Sequence, residues 1–495
     1  MIDRHRFLIA LLPLLAMGLP LRSVAQDAVD LDTDPLAGEF ELLESNGARQ
    51  RYGEELLELL ESRSNGRGVG AFVLPDGTDL AAIPQDPGNP LTPAKVALGR
   101  LLFHETAIGT ATPSPDRRES YGCASCHHVA AGFKSGIPQG IADGGSGFGQ
   151  HGEGRLLAAG MDATAPDGSP AKPDIQPVAS PTVLNAAYQD VMLWDGAFGN
   201  RAGGPNAGLD GALDEAGPPS LRVNRFALSG IETQALAGTF VHRLSFDADS
   251  VLQTDPAYRA LYAAAFPGGA SGAIPAGSGV TPEALGAAKA IAAYERTLLA
   301  SRAPFQRWLR GDQKAMDTKA LRGALLFFGE AGCADCHTGP ALSSWPDADA
   351  SAMFFAVGFA DLDPRRARVH GSVPDATSRG RGGFTGEPAD DYRFKVPQLY
   401  NLSDSGVFGH GASFGSIREV IEYKNAAVPQ NGHGTNLAPG FVPLGLEKTE
   451  IDDLTAFVAE ALHDPSLARH VPSTLPSGNC FPVADFAAAL DLHCF

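Results

Sequence analysis

The chain has 495 residues, with 57 acidic against 38 basic side chains and a formal net charge of −19. That balance argues against nucleic acid and anionic membranes as partners and favours a basic one. With 58 glycines, 37 prolines and only 19% charged residues, the composition suits a loop-rich protein wrapped around buried groups; the length allows two domains with separate cores.

In chain order, Arg4, His5 and Arg6 precede an apolar run, Phe7–Leu21, and then Ser23-Val24-Ala25. This is the pattern of a secretory signal peptide over 1–25, cleaved after Ala25. Elsewhere no apolar stretch is long enough for an integral membrane span, and the signal pattern makes the expected location periplasmic or secreted. Residues 26–90 are polar and irregular at their start and are expected to form an N-terminal arm or small subdomain. Thr92-Pro93 reads as an N-cap and first-turn proline opening a helix through Val96, Leu101 and Leu102. Residues 136–180, 196–230 and 363–392 are glycine-rich and long enough to be functional rather than connective loops. Thr281-Pro282-Glu283 opens a helix bearing Ile291, Leu298 and Leu299. Ser416-Ile417-Arg418-Glu419 is a capping box, and Thr449 precedes a last helix with Ile451, Leu454, Phe457, Val458 and Leu462. In a tail over 471–495, Cys480 and Cys494 are read as a disulfide in an oxidising compartment. Strand signals are few and short. The predicted fold class is mainly α: two cytochrome-c-like haem domains, over 91–300 and 301–470, with long irregular loops.

Two motifs carry most of the chemistry, Cys123-Ala124-Ser125-Cys126-His127 and Cys333-Ala334-Asp335-Cys336-His337. In each, two thiols can form thioethers to porphyrin vinyl groups while the adjacent histidine ligates iron. With 6 Cys and 13 His in the chain, chance predicts about 0.002 such motifs. A redox dithiol needs a βαβ setting, and zinc sites space their Cys pairs far more closely. Two covalently bound c-type haems are therefore expected, with His127 and His337 as iron ligands.

The order of the surrounding motifs resembles the bacterial dihaem cytochrome c peroxidases, together with the related methylamine-utilisation enzyme that oxidises a protein substrate. The resemblance runs from about Leu91 to Leu462. It rests on Leu98-Gly99-Arg100-Leu101-Leu102-Phe103, Ser180-Pro181-Thr182, Trp194-Asp195-Gly196, Gln234-Ala235, Tyr294-Glu295-Arg296-Thr297-Leu298, Arg322-Gly323 and Phe394-Lys395-Val396-Pro397-Gln398-Leu399. It implies an oxidoreductase that reduces hydrogen peroxide at the first haem, with electrons from a small redox protein (a cytochrome c or cupredoxin) entering at the second. Trp194 matches the tryptophan that assists transfer between the haems. Two further readings stay open: a peroxide-dependent oxidase of aromatic side chains on a partner protein, and a dihaem electron carrier without turnover.

The resemblance also marks departures. Where the family carries methionine on the second haem, this chain reads Phe408-Gly409-His410-Gly411. The distal ligand there is then His410, Met353 or no protein group. On the first haem, His151 is the counterpart of the family's displaceable histidine. The family's acid/base glutamate is missing, and Phe240-Val241-His242-Arg243-Leu244 stands in its region. His242 is the expected proton shuttle and Arg243 the stabiliser of the leaving oxygen. Ala179 stands where the family's calcium site has asparagine, which would leave backbone carbonyls to hold calcium.

Overall fold

The computed structural model describes residues 35–199, 224, 226–345, 348, 352–362, 373–430, 432 and 436–494, with side chains from 47 onward. The expected signal peptide lies outside the described residues. The chain divides into two compact units, Met1–Gly47 and Ala48–Phe495. Among the described residues no helix is long and apolar enough to cross a membrane.

The fold is helix-rich. Regular strands among the described residues are two antiparallel pairs of two residues each, Gly145–Ser146 with Leu156–Leu157 and Phe354–Phe355 with Phe394–Lys395. Local capping places the helices. Thr92 Oγ1 accepts from Lys95 N at 3.2 Å and opens Pro93–His104. Thr281 Oγ1 accepts from Ala284 N at 3.1 Å and opens Pro282–Arg296. Ser416 Oγ accepts from Glu419 N at 3.1 Å and opens Ile417–Ala426, while the Glu419 carboxylate takes the N–H of Gly415 at 2.7 Å rather than that of Ser416.

Four expectations need correction. A helix, Pro35–Arg63, precedes Thr92; Leu56 and Leu60 are fully buried on it, giving that stretch an apolar face the polar composition obscured. The helix expected at Thr449 begins instead at Lys448, capped by Glu447, whose N–H reaches Glu450 Oε2 at 2.8 Å. Nor is it the last helix, because Phe486–Asp491 follows it with Asp485 as N-cap. Within 363–392 the described part holds helical turns at Asp375–Ser378 and Arg381–Thr385.

Two helix crossings organise the body. Pro93–His104 lies across Pro282–Arg296 so closely that a Cβ on Gly99 would stand 1.8 Å from the Ala290 carbonyl oxygen. Thr318–Phe328 crosses Lys448–Ala456 in the same way, with a Cβ on Gly323 falling 2.0 Å from Asp453 O. Only glycine lets the backbones approach to this degree. One helix of each pair leads into a Cys-x-x-Cys-His segment. One contiguous apolar core joins both crossings, including Phe103, Tyr294, Phe305, Phe327 and Phe457. Phe305 and Phe327 set their rings 5.4 and 5.3 Å from that of Phe457.

The C-terminal segment, expected as a stapled loose tail, is docked on the first motif. Ser125 Oγ donates to Pro482 O at 2.8 Å, and Ala484 N to Ser120 O at 3.0 Å. Asp485 pairs with the buried Arg155 at 3.1 Å and accepts Gly147 N at 2.9 Å. The sulfurs of Cys480 and Cys494 lie at bonding distance, 1.96 Å.

Candidate functional site

Both Cys-x-x-Cys-His segments fold alike. Cys123–Ser125 and Cys333–Asp335 form single tight helical turns, and the following histidine N–H bonds back to the carbonyl of the first cysteine, at 3.1 Å for His127 and 3.0 Å for His337. The turn puts both thiols and the imidazole of each motif on one short stretch of chain. All four cysteines are free. Burial holds the thiols protonated: Cys126 and Cys333 are pushed up to about 12, and Cys123 higher still, with the Glu295 carboxylate adding to its shift.

The histidines of both motifs are neutral. Burial drops both His127 and His337 to about 4, and the charge of His242 adds to the effect at His127. His337 Nδ1 donates to Leu342 O at 2.8 Å, and the backbone of Pro397 also acts on the imidazole. His127 Nδ1 is buried without a hydrogen bond. Protonated thiols are poor ligands for a metal ion held by thiolates, and among the described residues no three His, Cys, Asp or Glu side chains converge to hold an ion. Two neutral thiols beside one neutral imidazole fit a covalently attached haem at each motif.

Beside the first motif, the structure brings His242 close enough for its charge to act on His127. His242 Nδ1 lies 2.9 Å from Asp174 Oδ2. Burial pulls its pKa down, but the charge and hydrogen bond of Asp174 more than offset that and raise it overall. Arg243 is committed elsewhere: its guanidinium pairs with the buried Asp143 and donates to Lys172 O at 2.9 Å. Asp143 also accepts from Arg117 Nε and Thr112 Oγ1, each at 2.7 Å. His151 lies on an exposed loop, with Nδ1 2.6 Å from Ala130 O.

Trp194 donates its indole N–H to Ala179 O at 2.7 Å, and its own carbonyl accepts Lys395 N at 2.7 Å. Ala179 O, one of the carbonyls left to a calcium ion, is thus already engaged. Asn185 Nδ2 donates to Gln398 Oε1 at 3.1 Å, tying the segment after the first motif to the segment after the second. His410 is buried. Its Nε2 lies 3.1 Å from Asp361 Oδ1, and its ring stacks on Phe394 at 3.7 Å and meets the Trp194 ring edge-on at 6.3 Å. Met353 is buried with Val191 and Phe354.

Two residues were not singled out from the sequence. Glu295 is buried and pushed up to about 8, chiefly by burial and then by the Glu232 carboxylate. Glu232 is neutralised by Arg296, at 2.7 Å, and accepts Asn89 Nδ2 at 3.1 Å. Glu295 therefore carries a proton at neutral pH within electrostatic reach of Cys123. Its place in the Tyr294-Glu295-Arg296 motif was visible, but its burial was not. The second is Lys424, on the Ile417–Ala426 helix. Burial lowers its pKa to about 8, against the opposing influence of Cys336 and Cys333.

Residues 93–314 match the family model of the di-haem cytochrome c peroxidases. The chain is 29% identical over 428 residues to the cytochrome-c peroxidase IdrP1 of Denitromonas iodatirespirans, covering 82% of this chain and 90% of the relative. It is 27% identical over 391 residues to the methylamine utilization protein MauG of Methylorubrum extorquens, covering 78% and 83%. A crystal structure of a MauG-like protein associated with microbial copper homeostasis shares the fold, with a TM-score of 0.50 at 21% identity, over 80% of this chain and 95% of that one.

Proposed function

We propose that the chain is a peroxidase-like oxidoreductase of the di-haem cytochrome c peroxidase family, whose model matches residues 93–314, and that it reduces hydrogen peroxide with electrons from a small redox protein. The observation that carries this reading is the repeated unit of two neutral thiols and one neutral, buried histidine. Haem bound at each unit supplies the iron redox chemistry. Cys123, Cys126, Cys333 and Cys336 form the thioethers, and His127 and His337 hold the iron. The domains are a peroxidatic one over 91–300 and an electron-entry one over 301–470, in a periplasmic or secreted protein.

The chain's own groups divide the remaining work. His242 is the proton acceptor of the first site: Asp174 fixes the proton on Nδ1 and leaves Nε2 open. Arg243, held by Asp143 and Lys172 O, anchors the turn bearing His242 and contributes positive charge. Trp194 bridges the two halves through Ala179 and Lys395. His151 is the distal candidate on the exposed loop; Ala130 O occupies its Nδ1 and leaves Nε2 for the iron.

The test is peroxide-dependent oxidation of a reduced small cytochrome or cupredoxin by the holoprotein. Inertness toward peroxide in every redox state would sink the reading. A second reading, oxidation of aromatic side chains on a partner protein, is favoured by Gly409 standing where the family's peroxidases carry methionine. Mass shifts in a co-expressed partner after peroxide, without turnover of an added cytochrome, would select it.

A further inference from the structure

Hydrogen peroxide takes up two electrons, whereas a small cytochrome or cupredoxin delivers one at a time. An oxidising equivalent therefore has to wait on the protein between deliveries. We propose that Tyr258 and Glu105 hold it: Tyr258 gives one electron to the peroxide-oxidised haem of the first motif and its phenolic proton to Glu105. The proposal rests on the peroxidase reading and on haem attachment at Cys123 and Cys126. In this step the Tyr258 O–H bond breaks and the proton bonds to Glu105 Oε2. The tyrosine is oxidised by one electron and the haem reduced by one. The next electron from the donor protein restores the phenol, with the proton returning from Glu105.

Both side chains belong to fully buried residues, and Tyr258 Oη donates to Glu105 Oε2 at 2.6 Å. The other carboxylate oxygen accepts Ala107 N at 2.9 Å and Ser477 Oγ at 2.8 Å. Three neutral donors thus converge on the carboxylate, and no cation pairs with it among the described residues. A buried anion held by hydrogen bonds alone is costly. Oxidation with proton transfer leaves a neutral radical beside a neutral acid, which removes that charge from the interior. Until an electron leaves, burial and the Glu105 charge keep the phenol protonated by raising its pKa well above the ordinary value.

The pair adjoins the first motif. Glu105 follows the helix Pro93–His104, and a Cβ on Gly122 would stand 2.4 Å from Glu105 O. Gly122 immediately precedes Cys123. Tyr258 is fixed at the start of the helix Pro256–Ala265, whose N-cap Asp255 accepts Ala257 N at 2.7 Å and Tyr258 N at 3.1 Å. Tyr121, Tyr294 and Tyr400 are at most 1% exposed, yet none of them is bonded to a base. Tyr121 Oη donates to Arg243 O at 3.0 Å and Tyr294 Oη to His470 O at 3.1 Å, while Tyr400 Oη accepts Gln306 Nε2 at 2.7 Å. A carboxylate can take the proton of an oxidised phenol; a backbone carbonyl or an amide N–H cannot.

The experiment is freeze-quench electron paramagnetic resonance of the holoprotein after one equivalent of hydrogen peroxide, without donor, with haem attachment verified by mass on the Cys123–His127 peptide. The wild type should give an organic radical whose signal narrows when the protein is made with ring-deuterated tyrosine. Tyr258→Phe, which keeps the ring, should lose that signal, and Tyr121→Phe should retain it. Glu105→Gln keeps an acceptor oxygen but no base, and should slow radical formation by about a hundredfold, the low end of what a positioned proton acceptor contributes. Unaltered haem absorbance before peroxide shows that each variant folds. Peroxide oxidation of the haem without a tyrosine radical in the wild type, a radical that persists in Tyr258→Phe, or an undiminished rate in Glu105→Gln overturns the proposal. A Cys123–His127 peptide without haem mass, or a haem spectrum that peroxide leaves unchanged, overturns the peroxidase reading and the proposal with it.

Discussion

At the scale of single residues, burial sets the protonation states around the first motif. Glu295, pushed up to about 8, is protonated in the folded protein and ionised in the unfolded chain at neutral pH. The folded state therefore binds the extra proton, and stability falls as pH rises from the ordinary carboxylate range to about 8. His242, raised by Asp174, acts in the same sense: its stabilisation is full below the ordinary histidine pKa and is lost above it. The buried His127 and His337, near 4, act oppositely, but only below the ordinary histidine range. Between about pH 6.5 and 8 the slope should thus belong to Glu295 and His242. Urea midpoints across that window should decline in the wild type and decline less in Glu295→Gln; equal slopes would remove Glu295 from the account. For the proton acceptor, Asp174→Asn should lower the His242 pKa and shift the acid limb of the peroxidase pH profile to lower pH. An unmoved profile would assign proton transfer to another group.

At the scale of elements, the two helix crossings are set by backbone contact. At Gly323 an added methyl would enter the space of Asp453 O, and nothing flexible lies there to move aside. Gly323→Ala should cost about 3 kcal/mol, the upper part of the range for overpacking a core. Arg322, which holds Asp453 at 2.7 and 2.9 Å, cannot follow the displaced helix without breaking that fork. The same holds for Gly99→Ala at Ala290. Thermal midpoints should drop for both variants. A drop for Gly99→Ala with unchanged second-haem absorbance would show that the two crossings serve separate haem domains. The motifs Leu98-Gly99 and Arg322-Gly323 were legible in the sequence, but the partner of each glycine was not. Helix starts at Thr92, Thr281 and Ser416 could be read because each cap is satisfied within four residues of its own position.

At the scale of the whole molecule, the C-terminal tail closes over the first motif rather than trailing from the second. Asp485 serves three partners: it caps its own helix at Ala488 N, accepts Gly147 N, and neutralises Arg155, which is 2% exposed. Asp485→Ala should cost about 2–4 kcal/mol, since it removes a cap and leaves a buried cation short of its anion. Amide exchange at Gly147–Gly149 and Ala484 should quicken in that variant; unchanged protection would show that the tail is held by the disulfide and apolar packing alone. The sequence by itself determined the features whose cause is local. Two Cys-x-x-Cys-His segments prescribe their chemistry within five residues, capping residues start their own helices, and the ordered motifs between them carry the resemblance to the di-haem peroxidases. Tertiary structure alone decided what surrounds those segments: which histidine lies beside His127, that Glu295 keeps its proton, that the tail covers Ser125, and that Lys424 lies over the ring beside Gly409. Each of these depends on burial and on contacts between residues distant in the chain, and neither is encoded in any short window of residues.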